Sequence, residues 1–199
     1  MTTFPLEDAV AAARRGALIV IPTDTVYGVG TRPDDPEATA LVFAAKDRPT
    51  ALTLPVLVPS VAHAREVATM DERAERLAGV CWPGAVTLVL VRTATSRAWA
   101  LGRDGETIGV RVPDHPLARA VLERTGPLAV TSANRSGEPP ARTCDELVAA
   151  FGDLVAVYLC EPDPLEGSAS TVIDLTHGEP QVLRAGALDP AGLDELLGS

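Results

Sequence analysis

Residues 17–21, Ala-Leu-Ile-Val-Ile, restrict the fold more than any other stretch: five apolar residues in succession, three of them β-branched, closed by Pro22. A strand with one wet face alternates apolar and polar side chains. One without alternation is buried on both faces, so the sheet that holds it must be covered on both sides. Residues 85–91, containing Val-Thr-Leu-Val-Leu-Val, repeat the signal in the middle of the chain.

Around these runs the spacing predicts helices over 5–15, 36–46, 61–67, 71–79, 116–124 and 144–150, and a last short helix capped by Asp189. In the first, Leu6, Ala9, Val10 and Ala13 share a face and Gly16 is the stop; in the second, Leu41, Val42 and Ala45 face inward. Ser60 caps the third, Gly126 ends the fifth, and Thr143 with Glu146 forms a capping box before the sixth. Strands are expected at 52–58, 107–112, 127–130, 154–159, 170–175 and 181–183, whereas 93–105 shows no periodicity. These strands outnumber what a strict βαβ repeat would give. The expectation is an α/β protein of the α+β type: one domain over 1–199, a twisted mixed sheet flanked by helices.

Composition narrows the functional classes. A hydrophobic content of 46% over 199 residues suffices for a full core, and the net charge of −10 repels a phosphate backbone at long range, so any nucleotide contact must be local. Cys81, Cys144 and Cys160 have no close pair and no His at ligand spacing. They read as buried free thiols, with neither a disulfide framework nor a zinc site. The first sixteen residues lack the apolar segment of a signal peptide, and no apolar run reaches membrane-spanning length. A cytoplasmic, reducing location is expected, with no membrane partner.

The chemistry-bearing residues gather where strands end. After residues 17–21 come Thr23, Asp24, Thr25 and Tyr27, with Gly28 and Gly30 to let the backbone turn or approach a ligand. Lys46 and Arg48 end the second helix; Thr107 and Arg111 share the strand Thr-Ile-Gly-Val-Arg-Val; Ser132 and Asn134 follow the strand at 127–130; Ser170, Thr171 and Arg184 lie near the C-terminus. Arg111 is the informative one, because a guanidinium buried in a strand needs a partner. That partner is either a structural carboxylate or an anionic ligand. Asp24 reads as a turn-stabilising residue.

The segments Pro22-Thr23-Asp24-Thr25-Val26-Tyr27-Gly28, Lys46-x-Arg48-Pro49, Trp82-Pro83-Gly84 with Thr87-Leu88, Val110-Arg111-Val112-Pro113 with His115-Pro116, Ser132-Ala133-Asn134-x-Ser136-Gly137, Ser170-Thr171-Val172-x-Asp174 and Leu183-Arg184-x-Gly186 stand in this order along nearly the whole chain. The sequence is similar to the YrdC-type threonylcarbamoyl-AMP synthase family. The resemblance implies a YrdC-like fold with a concave substrate cavity. It also implies synthesis of L-threonylcarbamoyladenylate and pyrophosphate from L-threonine, bicarbonate and ATP, for the modification of adenosine 37 in tRNA.

Carried over by motif, Thr23, Thr25 and Tyr27 would form the threonine pocket, with Arg111 on the threonine carboxylate and Ser170 on the same side. Lys46, Arg48 and Arg184 would hold ATP phosphates, and Thr107 and Arg142 would touch the nucleotide. Ser132 and Asn134 would sit where the two substrates meet; with Lys46 and Arg48 they make the expected catalytic set. ATP is then a substrate, Mg²⁺ arrives on it, no protein metal site is expected, and tRNA or the machinery that transfers the product is a partner. Leu52 stands where the family usually carries Lys or Asn beside the nucleotide. Two further readings keep the same residues: an RNA-binding or ribosome-associated module without synthase activity, and a paralogue that adenylates a different carbamate.

Overall fold

A computed structural model of the chain describes residues 6–103 and 105–188. Helix α1, Leu6–Arg14, has Glu7 and Asp8 in its first turn and Arg14 in its last, which suits the helix dipole, and it buries Ala9, Val10, Ala12 and Ala13. Strand β1, Leu18–Ile21, is buried at all four positions. Its alternate residues enter different cores: Leu18 and Val20 join one apolar cluster, Ile19 and Ile21 the other. The unbroken apolar run is therefore a strand covered on both faces, as expected. Pro5 and the helix expected at Asp189 lie outside the described residues.

The remaining elements are β2 (Gly28–Thr31), α2 (Pro36–Lys46), β3 (Val56–Leu57), α3 (Val61–Val67), α4 (Glu72–Cys81), β4 (Val86–Val91), α5 (Ala94–Arg97), β5 (Thr107–Arg111), α6 (Pro116–Thr125), β6 (Leu128–Ser132), α7 (Cys144–Phe151), β7 (Val155–Tyr158), β8 (Thr171–Asp174) and β9 (Gln181–Arg184). The strands form one sheet in the order β7-β1-β2-β6-β3-β5-β4-β8-β9. Pairs β1/β7, β3/β5 and β4/β8 are parallel and the other five antiparallel, which makes the sheet mixed. Helices α1 and α6 cover one face through Ala9, Ala12, Ala13, Ala118, Val121 and Leu122. The larger core on the other face takes Val42 and Phe43 of α2, Leu77 of α4 and Leu147 of α7.

Four expectations need correction. Residues 28–31, where Gly28 and Gly30 are expected to let the backbone turn or approach a ligand, are strand β2, paired to both β1 and β6. Their glycines serve close approach: a Cβ on Gly28 would lie 2.5 Å from Val130 Cγ1, and one on Gly30 would lie 2.3 Å from the Ala129 carbonyl oxygen. The strand expected at 52–58 shrinks to two residues, because Pro55 has no N–H to give a ladder and Leu52 is turned back by a bond from its N–H to the Pro49 carbonyl. Leu41 is exposed, and Phe43 is buried in its stead. Last, Cys144 and Cys160 are not free thiols: their Cα atoms are 5.7 Å apart and a disulfide joins them. Position 144 opens α7 and position 160 follows β7, so folding closes a separation of 16 residues that sequence spacing does not show. Cys81, the free cysteine, is partly exposed at the end of α4.

Candidate active site

The register of the sheet brings the polar strand ends to one side. Ile21 pairs with Gly28 and Gly28 with Ser132, so the exit of β1, the start of β2 and the end of β6 are level. Across the sheet Leu57 is level with Arg111, Val86 with Thr171, and Val172 with Arg184. These ends surround a cavity of about 90 Å³. Its polar wall is made by Thr23, Thr25, Tyr27, Thr87, Arg111, Ser132, Ser170 and Arg184, and its apolar part by Val26, Pro55, Leu57 and Val130.

At one end the β1–β2 loop is held by its own hydroxyls. Thr23 Oγ1 lies 2.9 Å from Thr25 Oγ1, donates to the Val26 carbonyl at 2.5 Å, and accepts the Thr25 and Val26 N–H groups at 3.2 Å each. The arrangement is an ST-type turn that needs no regular structure around it. Tyr27 is fully buried, and its hydroxyl accepts the Glu161 N–H at 2.9 Å. Burial pushes the phenol's pKa up.

Arg111 closes this end. Its Nη1 donates to Thr25 Oγ1 at 2.9 Å, Nη2 to Asp24 Oδ1 at 2.6 Å, and Nε to the Gly84 carbonyl at 2.8 Å. Asp24 Oδ1 also accepts the Asp114 N–H at 2.9 Å. The structural carboxylate is thus present, and it is Asp24. A guanidinium has five N–H donors, so three bonds leave two for a ligand. Burial lowers the Arg111 pKa, Asp24 opposes that shift, and the charge of Arg184 adds to it.

At the other end, Thr87 Oγ1 lies 2.9 Å from Ser170 Oγ, which also accepts Arg184 Nη2 at 3.0 Å, while Arg184 Nε donates to the Ser170 carbonyl at 3.0 Å. Arg48 donates to the Thr53 carbonyl at 3.1 Å and more weakly to that of Leu52 at 3.4 Å. Its pKa is lowered by burial and then by the charge of Arg184, as is that of Arg184 by burial alone. Neither Arg48 nor Arg184 has a carboxylate partner among the described residues, whereas eight other arginines do. In a chain of net charge −10, two guanidiniums, Arg48 partly buried and Arg184 exposed, left with only carbonyl and hydroxyl acceptors make a local site for an anion.

Lys46 is 2% exposed and turned inward. Its ammonium donates to the Ser132 carbonyl, to the Asn134 carbonyl at 2.5 Å and to Asn134 Oδ1 at 3.3 Å, and its own carbonyl accepts the Ser136 N–H at 2.9 Å. Burial, with a smaller part from Arg48, brings its pKa down to about 8. The Asn134 amide donates to the Arg135 and Glu138 carbonyls at 2.8 and 2.7 Å, shaping the turn beyond Ser132.

Of the residues singled out from sequence, Thr23, Thr25, Tyr27, Arg111, Ser132, Ser170 and Arg184 line the cavity. Lys46 and Asn134 stand behind Ser132, and Arg48 is electrostatically coupled to Arg184. Thr107 and Arg142 are not in the lining. Thr107 begins the strand that Arg111 ends, about 13 Å along the backbone at ~3.3 Å per residue. The Arg142 side chain is exposed and paired with Glu166 and the Leu165 carbonyl. Thr87 belongs to the wall although sequence reasoning, which sets it in a motif with Leu88, assigned it no role; its signal was a single hydroxyl inside an otherwise apolar strand. Among the described residues no group of three or more His, Cys, Asp or Glu is placed to hold a metal ion, and no helix is long and apolar enough to cross a membrane.

The family model Sua5_yciO_yrdC, described as "Telomere recombination", matches residues 11–186. A protein of Mycobacterium leprae, whose name assigns it threonylcarbamoyl-AMP synthase activity provisionally, is 43% identical over 195 residues, covering 97% of this chain and 88% of its own. The threonylcarbamoyl-AMP synthase of Chromohalobacter salexigens is 38% identical over 182 residues, 89% of this chain and 96% of its own. Among solved structures, that of P. abyssi Sua5 complexed with L-threonine superposes with a TM-score of 0.91 at 32% identity, over 97% of this chain. This chain spans 57% of the length of that protein. E. coli YciO gives 0.85 at 28% identity, over 94% of this chain and 91% of its own.

Proposed function

We infer from its membership of the Sua5/YciO/YrdC family, to which the chain belongs, that this protein is a threonylcarbamoyl-AMP synthase using L-threonine and ATP. The observation that carries the reading is the pair Arg48 and Arg184, cationic and without carboxylate partners among the described residues, beside a hydroxyl-lined pocket that already holds Arg111. One end suits an amino acid and the other a polyphosphate.

In this reading the two free donors of Arg111 take the threonine carboxylate, with Thr23, Thr25 and Tyr27 around the rest of the molecule. The neutral amine adds to dissolved carbon dioxide to give a carbamate, releasing one proton to solvent; starting from bicarbonate, the carbon–nitrogen bond forms with loss of one water. A carbamate oxygen then attacks the α-phosphorus of ATP and pyrophosphate leaves. No protein nucleophile takes part. The protein aligns two anions and neutralises the charge that grows on phosphate, which falls to Arg48 and Arg184. Ser132 stands where the reacting atoms would meet. Lys46 supports it from behind, since all three of its ammonium protons have acceptors on the turn from 132 to 134. Mg²⁺, carried on the triphosphate, would supply further charge neutralisation through phosphate oxygens. The product would pass to the machinery that modifies adenosine 37 of tRNA, and the location would be cytoplasmic.

The test is pyrophosphate release in the presence of ATP and bicarbonate, with threonine, serine, valine or no amino acid. Threonine-dependent release that also needs bicarbonate supports the reading. Turnover indifferent to threonine rejects it, and a clear preference for another amino acid would mark an enzyme for a different carbamate.

A further inference from the structure

Residues 160–170 connect β7 to β8 without regular structure, and between Glu161 and Gly167 they lie against Tyr27 and Thr25 at the amino-acid end of the cavity. Several contacts fasten them. The Glu161 N–H donates to the Tyr27 hydroxyl at 2.9 Å, His115 Nε2 is 3.4 Å from Glu161 Oε1, and the Leu165 N–H donates to the Arg142 carbonyl at 3.0 Å. Gly167 presses so closely on the β1–β2 loop that a Cβ there would lie 1.7 Å from the Thr25 carbonyl oxygen. The segment is a strap whose first residue, Cys160, is tied covalently to the first residue of α7, Cys144.

The disulfide is the one fastener here that a change of redox state can release. Its neighbours are weak on their own: the Arg142–Glu166 ion pair is exposed at both ends, and such pairs contribute little. Both bonded cysteines are partly exposed, and a groove lined by Thr143, Cys144, Asp145, Glu161, Pro162 and Asp163 opens Cys144 to solvent. Disulfides in a reducing compartment are uncommon, and those that form there are usually catalytic or sensory. The third cysteine does not compete, because burial pushes the Cys81 thiol up to about 12 and leaves it almost wholly protonated at neutral pH.

We propose that Cys144–Cys160 is a reversible thiol switch that holds the strap against Tyr27 and Thr25, so that reduction loosens the amino-acid end of the cavity and oxidation restores it. The threonine part of this proposal rests on the function inferred above. A small dithiol supplies the electrons: one thiolate attacks a sulfur of the disulfide, the sulfur–sulfur bond breaks, and a mixed disulfide forms. The second thiol then displaces the enzyme sulfur. Two electrons and two protons pass to the cysteines, and the dithiol leaves as its own disulfide. The released strap opens at Glu161, and Tyr27 loses the N–H that its hydroxyl accepts.

The experiment compares the oxidised enzyme with enzyme reduced by dithiothreitol under non-denaturing conditions and then reoxidised, and with Cys160→Ser and Cys144→Ser variants. Thiol titration follows the redox state, amide hydrogen exchange is read along 159–167, and KM is measured for threonine and for ATP. Reduction should expose two further titratable thiols and speed exchange in 161–167. If the reduced strap is closed about a third of the time, KM for threonine rises about threefold. KM for ATP should stay within about 1.5-fold, and reoxidation should reverse the change. Three free thiols in enzyme prepared without reductant would overturn the proposal, as would exchange that is the same in both states. Faster exchange everywhere, with both KM values rising together, would show general loosening and also overturn it. If the protein shows no threonine-dependent activity while strap exchange still follows redox state, the functional reading fails and the switch stands.

Discussion

The Arg111 guanidinium and the Asp24 carboxylate, 87 residues apart in sequence, meet at 2.6 Å, with side chains only 7% and 16% exposed. The pair joins the end of β5 to the loop between β1 and β2 and leaves two guanidinium donors for a ligand. Removing the carboxylate while keeping the shape, Asp24→Asn, leaves a buried cation short of its counter-charge. Such losses cost up to about 3–5 kcal/mol, to be read as a lower denaturation midpoint with an unchanged slope.

Arg111→Ala and Arg184→Ala should separate the two ends of the cavity. A hydrogen bond to a charged group contributes roughly 1.5–3 kcal/mol, or about a 10- to 150-fold change in affinity. The first variant should raise KM for threonine by that factor and the second KM for ATP. Because Arg184 also bonds Ser170, the second variant should carry a smaller threonine defect as well. Equal losses in both parameters for both folded variants would mean that the ends do not act separately.

Lys46 predicts a pH dependence of stability. Its folded pKa of about 8 lies below the ordinary 10.5, so between those values the unfolded chain holds a proton that the folded protein has released. Stability therefore gains from this group as pH rises from 8 to 10.5, by about 3 kcal/mol in all, and the gain is absent below pH 8, where both states are charged. Relative to Lys46→Met, the wild type should become more stable over that interval. Parallel denaturation profiles for the two proteins would contradict the prediction.

Leu52 is 49% exposed, and its carbonyl is a weak acceptor for Arg48. Leu52→Lys places a cation beside Arg48 and should lower KM for ATP about fivefold, since one partly solvated contact contributes on the order of 1 kcal/mol. KM for threonine should not change. A stable variant with the same or higher KM for ATP would remove the 46–52 segment from the nucleotide site.

Gly30→Ala tests the sheet itself. The added methyl would lie 2.3 Å from the Ala129 carbonyl oxygen and 2.7 Å from a methyl of Val130, in backbone that cannot retreat without parting β2 from β6. A loss of about 1–3 kcal/mol or more is expected. Gly79→Ala, where nothing lies within 4 Å, is the control.

Much of the site could be read before folding because its signals are local. Hydroxyls crowded behind a doubly buried strand mark the 23–27 loop, and a guanidinium inside an apolar strand announces that Arg111 needs a partner. The identity of that partner was not legible, since Asp24 in isolation looks like any turn residue and only the register of β5 against the first loop pairs them. Glycine misled at 28–31 because freedom to turn and freedom to pack closely leave the same letter in the sequence. The place of Thr107 was not legible for another reason: it shares a strand with Arg111, yet four residues of extended chain set it outside the lining of this cavity. The cysteines show the same limit, as their meeting depends on where β7 leaves the sheet.

Strand β3 has only two residues, each paired once to β5 and once to β6. It is the narrowest seam of the sheet, with β7, β1, β2 and β6 on one side and β5, β4, β8 and β9 on the other. The cavity lies over that seam, with Leu57 of β3 in its lining. Thr23 to Tyr27 hang from one half, and Arg111, Ser170 and Arg184 from the other. The Arg111–Asp24 bond is therefore a tie-rod across the weakest line of the molecule, and any ligand gripped by both halves adds a second one. Substrate occupancy and mechanical stiffness of the whole sheet become one quantity, so the protein's resistance to being pulled or melted apart should rise with the filling of its own pocket.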